Sequence, residues 1–127
     1  MPKTKQFYAI LYLRLSKEDG DKEESYSISN QRDLGFDYLS KHPEIKLVHT
    51  LVDDGFTGSN FERPSFQKMI DLITKGKVNC VIVKDLSRFA RDYVGSGYYL
   101  EKLFPSMGVR FISINDNIDL YPHEKET

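Results

Sequence analysis

Residues 7–16 have the sequence FYAILYLRLS, in which an apolar run from Phe7 to Leu13 is followed by Arg14-Leu15-Ser16. An apolar run that does not alternate with polar residues predicts a strand buried on both faces, at the centre of a parallel sheet. Arg14 and Ser16 lie two residues apart and therefore share one face of that strand, so both can approach the same anion. Taken alone, however, the pair is explained better without a bound anion: Ser16 would cap a helix or turn, and Arg14 would be a surface residue.

Strand and helix patterns alternate along the rest of the chain. This alternation predicts right-handed crossovers and an α/β fold, a three-layer sandwich with a mostly parallel central sheet. Ligands of such sheets bind at the carboxyl ends of the strands. The predicted elements after the first strand are a helix capped by Ser27 or Ser29 and running to about Lys41, strands at 45–52, 78–83 and 109–114, and helices at 64–76 and from Tyr99 to about 105–108. The charged last dozen residues, 116–127, predict no element.

Length and composition define the class of protein. The chain has 127 residues, which fits one domain, and its single cysteine, Cys80, lies in an apolar run and is expected to be a buried small hydrophobe. It shows no signal peptide and no apolar stretch of the roughly 18 residues that span a membrane, so we expect a soluble, cytoplasmic protein without membrane contacts. Because the chain stops abruptly at Thr127, we expect residues 1–127 to be one domain excised from a longer protein.

Charge argues in two directions. The formal net charge is −1, which lacks the basic excess that non-specific nucleic-acid binding draws upon. Guanidinium groups, in contrast, are permanently charged and bind phosphate oxygens in pairs. Four of the six arginines, Arg14, Arg63, Arg88 and Arg91, fall beside turn or strand-end signals, which suggests local handling of phosphate.

Each further candidate has a less specific interpretation beside the functional one. Arg88 and Arg91 lie three residues apart and form a phosphate clamp if their segment is helical, or a solvated helix start if they pair with nearby acids. Arg63 follows a polar loop and can close over a phosphate, although an ordinary exposed loop residue is more common. For Gln31, on the first predicted helix, a solvated side chain is the more common case.

Together these pieces resemble the resolvase and invertase family of serine recombinases, in family order and over about Phe7 to Ile114. The sequence of residues 85–91, DLSRFAR, is most similar to that of the large serine recombinases and of the serine transposases of mobile elements. The matching segments are Tyr12 to Ser16, Ser27 to Arg32, Asp54 through Thr57-Gly58 to Arg63-Pro64, and Lys84 to Asp92.

The resemblance implies a recombinase that breaks and rejoins double-stranded DNA without ATP, metal or cofactor, and that forms dimers and tetramers in the full-length protein. It implies a nucleophile at Ser16 that becomes joined to a DNA 5′ phosphate. The implied supporting residues are the phosphate-binding Arg14, Arg63, Arg88 and Arg91, the polar Gln31 and the carboxylate Asp54. One position departs from the family: Ser87 stands where the smaller resolvases have aspartate, and Asp85 lies two residues earlier and is a substitute candidate.

Three competing hypotheses stay open at this point. A flavodoxin-like signalling or nucleotide-binding domain could use Asp53, Asp54, Lys84 and Asp85 at strand ends to hold magnesium and receive a phosphoryl group. A serine hydrolase could use Ser96, although its flanking glycines are adjacent and do not have the spacing of a nucleophile elbow. A non-catalytic assembly module would keep the fold and lack the activity.

Overall fold

Helices and strands alternate along the chain as predicted. The computed structural model describes residues 6–15, 28–54, 64–85 and 97–121, with the side chains of Leu15 and Asp54 left out. The elements in chain order are β1 (Phe7–Leu15), α1 (Ile28–Ser40), β2 (Ile45–Asp54), α2 (Pro64–Thr74), β3 (Cys80–Val83), a π-helical segment (Tyr99–Leu103), α3 (Phe104–Ser106), β4 (Arg110–Ser113) and β5 (Ile118–Leu120).

The strands of the described ranges form one five-stranded sheet in the order β2-β1-β3-β4-β5. The first four run parallel, and β5 pairs antiparallel with β4. The predicted α/β fold with a mostly parallel sheet is confirmed. Strand β1 pairs with β2 along its whole length, but its pairing with β3 covers only Ala9, Ile10 and Leu11.

Side chains of β1 alternate between two apolar cores, one on each face of the sheet. Ile10 and Tyr12 pack with α2 and with Phe104, whereas Leu11 and Leu13 pack on the face that α1 covers. The uninterrupted apolar sequence predicted a strand buried on both faces, and this is confirmed for Ala9 to Leu13, whereas Tyr8 near the start of the strand is exposed. Full burial of each such side chain stabilises the fold by roughly 1.5–3 kcal/mol. The buried side chains of β1 therefore contribute a large part of the free energy of folding.

The single cysteine is buried, as predicted, and it lies in the core on the α1 face of the sheet, called the α1-side core below. Cys80 is completely buried. Burial raises the pKa of its thiol to about 12, because a thiolate loses its hydration there. The side chain therefore behaves as a small hydrophobe and has little thiolate character.

Several element boundaries differ from the prediction. Strand β2 continues to Asp54, so Asp53 and Asp54 belong to the strand and not to the loop that their turn-like composition suggested. Ser29 lies inside α1 and does not cap it, and the other proposed cap, Ser27, falls outside the described residues. Helix geometry of the π type at Tyr99–Leu103 replaces part of the expected α-helix.

Strand β5 was not predicted, because a tertiary contact of Arg110 holds it. The guanidinium donates from Nε and Nη2 to the two carboxylate oxygens of Asp119, at 2.8 and 2.6 Å, and from Nη1 to Glu44 at 3.3 Å. It also lies between the rings of Phe7 and Tyr121, at 5.0 and 4.1 Å from their centroids. Burial lowers the pKa of this guanidinium, but the bonded Asp119 carboxylate more than offsets that and raises it above its ordinary value. A three-residue strand fastened in this way leaves no periodic signal in the sequence.

Candidate active site

The strand order determines which edge of the sheet can bind a ligand. The chain moves from β1 outward to β2 and then back across β1 to β3, so the direction of winding reverses between β1 and β3. In doubly wound sheets the crevice outside the carboxyl ends of the strands, at this reversal, is where ligands bind. Arg14 lies at the end of β1, and Lys84 and Asp85 follow β3 directly. Two of the predicted site segments therefore lie at the same edge of the sheet, beside the reversal between β1 and β3, which is called the switch crevice below.

Gln31 of α1 binds the backbone at the end of β1. Its Oε1 accepts a hydrogen bond from the N–H of Arg14 at 3.2 Å, and its Nε2 donates to the carbonyl oxygen of Arg14 at 3.0 Å. In a parallel strand the N–H and C=O of one residue point to the same side, so the Gln31 amide occupies the position that a strand neighbour would take. Both residues are 1 % exposed. Gln31 is thus a backbone partner of β1.

Gly35 explains how Gln31 comes close enough. It lies four residues after Gln31 and therefore on the same face of α1. A Cβ atom at Gly35 would lie 2.6 Å from both methyl carbons of Leu11, a distance that real Cβ atoms do not adopt. Because Leu11 is itself buried in the α1-side core, α1 approaches β1 this closely only with glycine at this position.

On the other face, the buried carboxylate of Asp53 joins three elements. Oδ2 accepts from the hydroxyl of Tyr12 at 2.8 Å and from the N–H of Phe66 at 3.0 Å, and Oδ1 accepts from the N–H of Ser65 at 3.0 Å. The Ser65 hydroxyl in turn donates to the carbonyl of Val52 at 2.6 Å. Asp53 is 2 % exposed, and its three hydrogen bonds compensate for the loss of hydration.

Arg14 shares the α2 face with Asp53. The two residues are register partners on β1 and β2, and side chains at such positions of parallel strands point to the same side. The permanent charge of Arg14 is therefore held almost completely buried at the end of the central strand, on the face that carries a buried carboxylate. A guanidinium in such a place is preorganised and poorly solvated, which favours binding of an anion at the crevice.

The structure describes part of the predicted site. It brings Arg14 and Gln31 together, and it places Asp85 half-buried directly after β3. Asp54 lies in β2, but its side chain is not among those described. The remaining predicted residues, Ser16, Arg63, Arg88 and Arg91, lie outside the described residues, as do the alternatives Ser87 and Ser96.

Tyr12 and Asp53 were not among the site residues predicted for a recombinase, although Asp53 was a candidate magnesium ligand of the competing hypothesis. One sequence signal could have found Tyr12: a tyrosine in a strand that is otherwise aliphatic and buried on both faces needs a partner for its hydroxyl. The described side chains, which exclude that of Asp54, contain no cluster of three or more His, Cys, Asp or Glu that could hold a metal ion. Within the described ranges, no helix is long and apolar enough to cross a membrane.

The sheet order and the switch crevice define a doubly wound α/β domain with its candidate site at the end of the central strand. The chain belongs to the resolvase family, because residues 9–126 match the family described as "Resolvase, N terminal domain". The resemblance to serine recombinases that the motifs suggested is thereby confirmed.

Related proteins agree with this assignment. The N-terminal catalytic domain of TP901-1 integrase is 28% identical with a TM-score of 0.77, and the match covers 88% of this chain and 80% of that one. A resolvase family site-specific recombinase from Streptococcus pneumoniae is 29% identical with a TM-score of 0.74, covering 90% of this chain and 76% of that one. The Transposon Tn917 resolvase of Enterococcus faecalis is 33% identical over 72 residues, which are 57% of this chain and 38% of that protein. The match therefore spans well under half the length of this curated relative.

Proposed function

We propose that this chain is the catalytic domain of a site-specific DNA recombinase of the integration and excision type, with Ser16 as its nucleophile. The observation that supports this most is the buried Arg14, whose backbone is fixed by Gln31 at the switch crevice, two residues before Ser16 in the sequence. Similarity to the catalytic domain of an integrase and to a transposon resolvase supports DNA as the substrate.

The reaction exchanges one phosphoester bond for another. The Oγ atom of Ser16 forms a bond to a DNA phosphorus while the bond from phosphorus to the 3′ oxygen breaks. The serine proton is released, and the departing 3′ oxygen takes up a proton to become a hydroxyl. Because the phosphoester is conserved in the 5′-phosphoserine link, the 3′ hydroxyl of another strand can attack it and rejoin the DNA without ATP.

Charge that develops on the phosphate is stabilised by guanidinium groups. In-line attack on a phosphodiester builds negative charge on the non-bridging oxygens, and preorganised cations stabilise that charge without reorganising. In this proposal Arg14 acts together with Arg63, Arg88 and Arg91. Asp54 and Asp85 are the carboxylates that support the site, and Gln31 holds the backbone of Arg14 in place.

The proposed partners are double-stranded DNA and further copies of the full-length protein, which forms dimers and tetramers in the cytoplasm. With a net charge of −1, residues 1–127 have no excess of basic side chains for contacts to phosphates. We therefore expect this domain alone to bind DNA weakly and with little specificity. Tight binding of residues 1–127 to one DNA sequence at physiological salt would contradict this expectation.

A magnesium-dependent phosphoryl acceptor fits the geometry less well. That hypothesis needs the strand-end carboxylates to face a metal ion, but both oxygens of Asp53 accept hydrogen bonds from Tyr12 and the first turn of α2. Asp53 is also buried, so it could bind a metal only after that turn had separated from β2.

A covalent-adduct experiment tests the proposal without knowledge of the DNA site. The full-length protein is incubated with DNA of its host genome in EDTA and stopped with detergent, and the protein-linked DNA is recovered and its ends are sequenced. Wild type and the control Ser106→Ala, at an exposed serine of α3, are expected to give adducts at defined 5′ ends, and Ser16→Ala none.

Each other result contradicts a specific part of the proposal. An adduct that persists in Ser16→Ala would eliminate Ser16 as the nucleophile. An adduct that forms only with added magnesium would favour the metal-dependent alternative. No adduct from wild type under either condition would favour the non-catalytic assembly module.

A further inference from the structure

The last strand of the sheet has little packing of its own. Strand β5 (Ile118–Leu120) pairs with β4 at three positions. Residues 118–121 are called the strap below. Ile118 packs against the core on the α2 face, whereas Leu120 and Tyr121 are 44 % and 58 % exposed. Because hydrophobic stabilisation follows the apolar area removed from water, the strap gains little of it.

Open cavities lie beside the strap on both faces of the sheet. One, of about 340 Å³, is lined in part by Tyr38 of α1 and by Asp119. The other, of about 460 Å³, is lined in part by Pro105 of α3 and by Leu120. Side chains that border a cavity lack some of the contacts of a close-packed interior. The described helices therefore pack loosely on the strap from both sides.

The strongest contact of the strap is made by Arg110 of β4. Its guanidinium donates to both carboxylate oxygens of Asp119 at 2.8 and 2.6 Å, and it lies 4.1 Å from the centroid of the Tyr121 ring. Bidentate hydrogen bonds between charged groups are strong, and the ring face adds cation–π attraction. Arg110 is 2 % exposed, so water and salt screen these contacts weakly. One side chain therefore holds the strap at two adjacent positions.

Arg110 also has partners that do not belong to the strap. Nη1 donates to Glu44 at 3.3 Å, and the guanidinium lies 5.0 Å from the centroid of the Phe7 ring. Glu44 directly precedes β2 and Phe7 begins β1, so both stay with the sheet when the strap leaves it. Breaking a buried ion pair is costly chiefly when one charge stays buried without a partner. Here the charge of Arg110 keeps Glu44 and gains water, which makes separation from Asp119 possible without unfolding of the sheet.

A pivot lies directly before the strap. Asn117 has a φ of +58°, in the left-handed region that asparagine adopts more readily than most residues. The start of the turn that leads to it is tied to the chain after β3. The N–H of Ile114 donates to the carbonyl of Val83 at 3.0 Å, and that of Asn115 donates to Lys84 at 2.8 Å. A change of backbone angles at Asn117 therefore moves the strap and leaves these contacts in place.

We propose that the strap opens as a unit while the parallel strands stay folded, and that Arg110 is the latch that holds it closed. Residue 122 follows the strap directly in the sequence, so opening changes the direction in which the chain leaves the sheet. The switch crevice lies between β1 and β3, and β4 separates β3 from the strap. The chain beyond Tyr121 can therefore be reoriented while the candidate site stays assembled. This inference does not depend on the proposed function.

Hydrogen exchange of the full-length protein, followed by mass spectrometry of overlapping peptides, measures the opening. Amide groups of the strap exchange whenever the strap opens, whereas those of β1 and β3 exchange only when the sheet unfolds. In wild type we expect the protected amides of the strap to exchange at least about 100-fold faster than those of β1 and β3. They are also expected to exchange at least about tenfold more slowly than the same sequence in an unfolded peptide, because the latch keeps the strap closed most of the time.

Two matched variants test the latch without replacing the buried Arg110. Asp119→Asn removes one negative charge and one acceptor oxygen on the strap side, where the Asp119 side chain is 35 % exposed. It is expected to speed exchange of the strap at least about tenfold, because a charge-assisted pair becomes a weaker neutral contact. Glu44→Gln removes the same charge from the partner that stays with the sheet. It is expected to change exchange of the strap less than about twofold, because this contact is made whether the strap is closed or open.

Each other result overturns the inference. Strap amides that exchange in wild type as slowly as those of β1 and β3 would show that the strap does not open by itself, and strap amides without protection would show that it is not closed. No acceleration in Asp119→Asn, or an equal acceleration in Glu44→Gln, would eliminate Arg110 as the latch. Acceleration that β1 and β3 share to the same degree would show a loss of global stability instead. Faster exchange confined to the strap and to Asp119→Asn supports the inference.

Discussion

Replacing Gln31 by leucine tests the backbone contact at the switch crevice most directly. The substitution keeps an apolar stem of similar size and removes both hydrogen bonds to Arg14, which join atoms 3.2 and 3.0 Å apart in a buried place. A buried polar group that loses its partner costs about 1–3 kcal/mol, so the N–H and C=O of Arg14 together cost roughly 2–6 kcal/mol. Entry of water and the apolar burial of leucine offset part of this, and we expect a net loss of about 2–4 kcal/mol.

The assay is urea unfolding followed by circular dichroism. With a slope of about 2 kcal/mol per molar urea, in the middle of the usual range, the expected loss lowers the unfolding midpoint by roughly 1–2 M. The control is Gln67→Leu, the same change at an exposed position of α2, which should alter the free energy of unfolding by less than about 0.5 kcal/mol. Gln31→Leu unfolding at the wild-type urea concentration would refute the reasoning, because the amide would then contribute nothing to the end of β1.

Two further substitutions test other contacts of the α1 face. Gly35→Ala gains about 1 kcal/mol of helix propensity but places a methyl group 2.6 Å from Leu11, and overpacking of about 1–3 kcal/mol is expected to dominate. In urea unfolding, the double variant with Leu11→Ala should be more stable than the sum of the single effects, and strict additivity would contradict the clash. For Cys80, the unfolded thiol ionises near pH 9 while the folded one stays protonated until about pH 12. Between these pH values the free energy of unfolding of the wild type should therefore decrease relative to that of Cys80→Ala, by up to about 1.4 kcal/mol per pH unit. Parallel pH profiles of the two proteins would contradict this expectation.

The sequence predicts elements whose burial follows a simple period, and it misses those held by single contacts. The unbroken apolar run of β1 and the helical spacing of Phe66, Met69 and Ile73 give the central strand and α2 directly. Strand β5 depends instead on the contact of Arg110 with Asp119, which are nine residues apart on two strands. No local pattern encodes such a pair.

For the candidate site, the sequence predicts the location better than the roles. Arg14 and Gln31 were expected to lie near each other, and they do, but the amide of Gln31 binds backbone atoms of Arg14. Residue type alone does not show where a side chain points. Asp53 was considered only as a magnesium ligand of the competing hypothesis, because the sequence DDG is typical of a turn, whereas its hydrogen bonds depend on a helix that begins eleven residues later at Pro64.

The contact of Gln31 resolves a conflict at the end of β1. A crevice between β1 and β3 can admit a ligand only where the two strands do not pair, and here their pairing ends at Leu11. A strand without a neighbour, however, leaves buried N–H and C=O groups that need partners. The Gln31 amide satisfies those of Arg14 from the side of α1, while β2 continues to pair with β1 on the other side. Because a single side chain is narrower than a strand, it satisfies these groups without adding a strand at the place where β1 and β3 separate. Gln31 is therefore expected to tolerate substitution less well than any exposed position of α1.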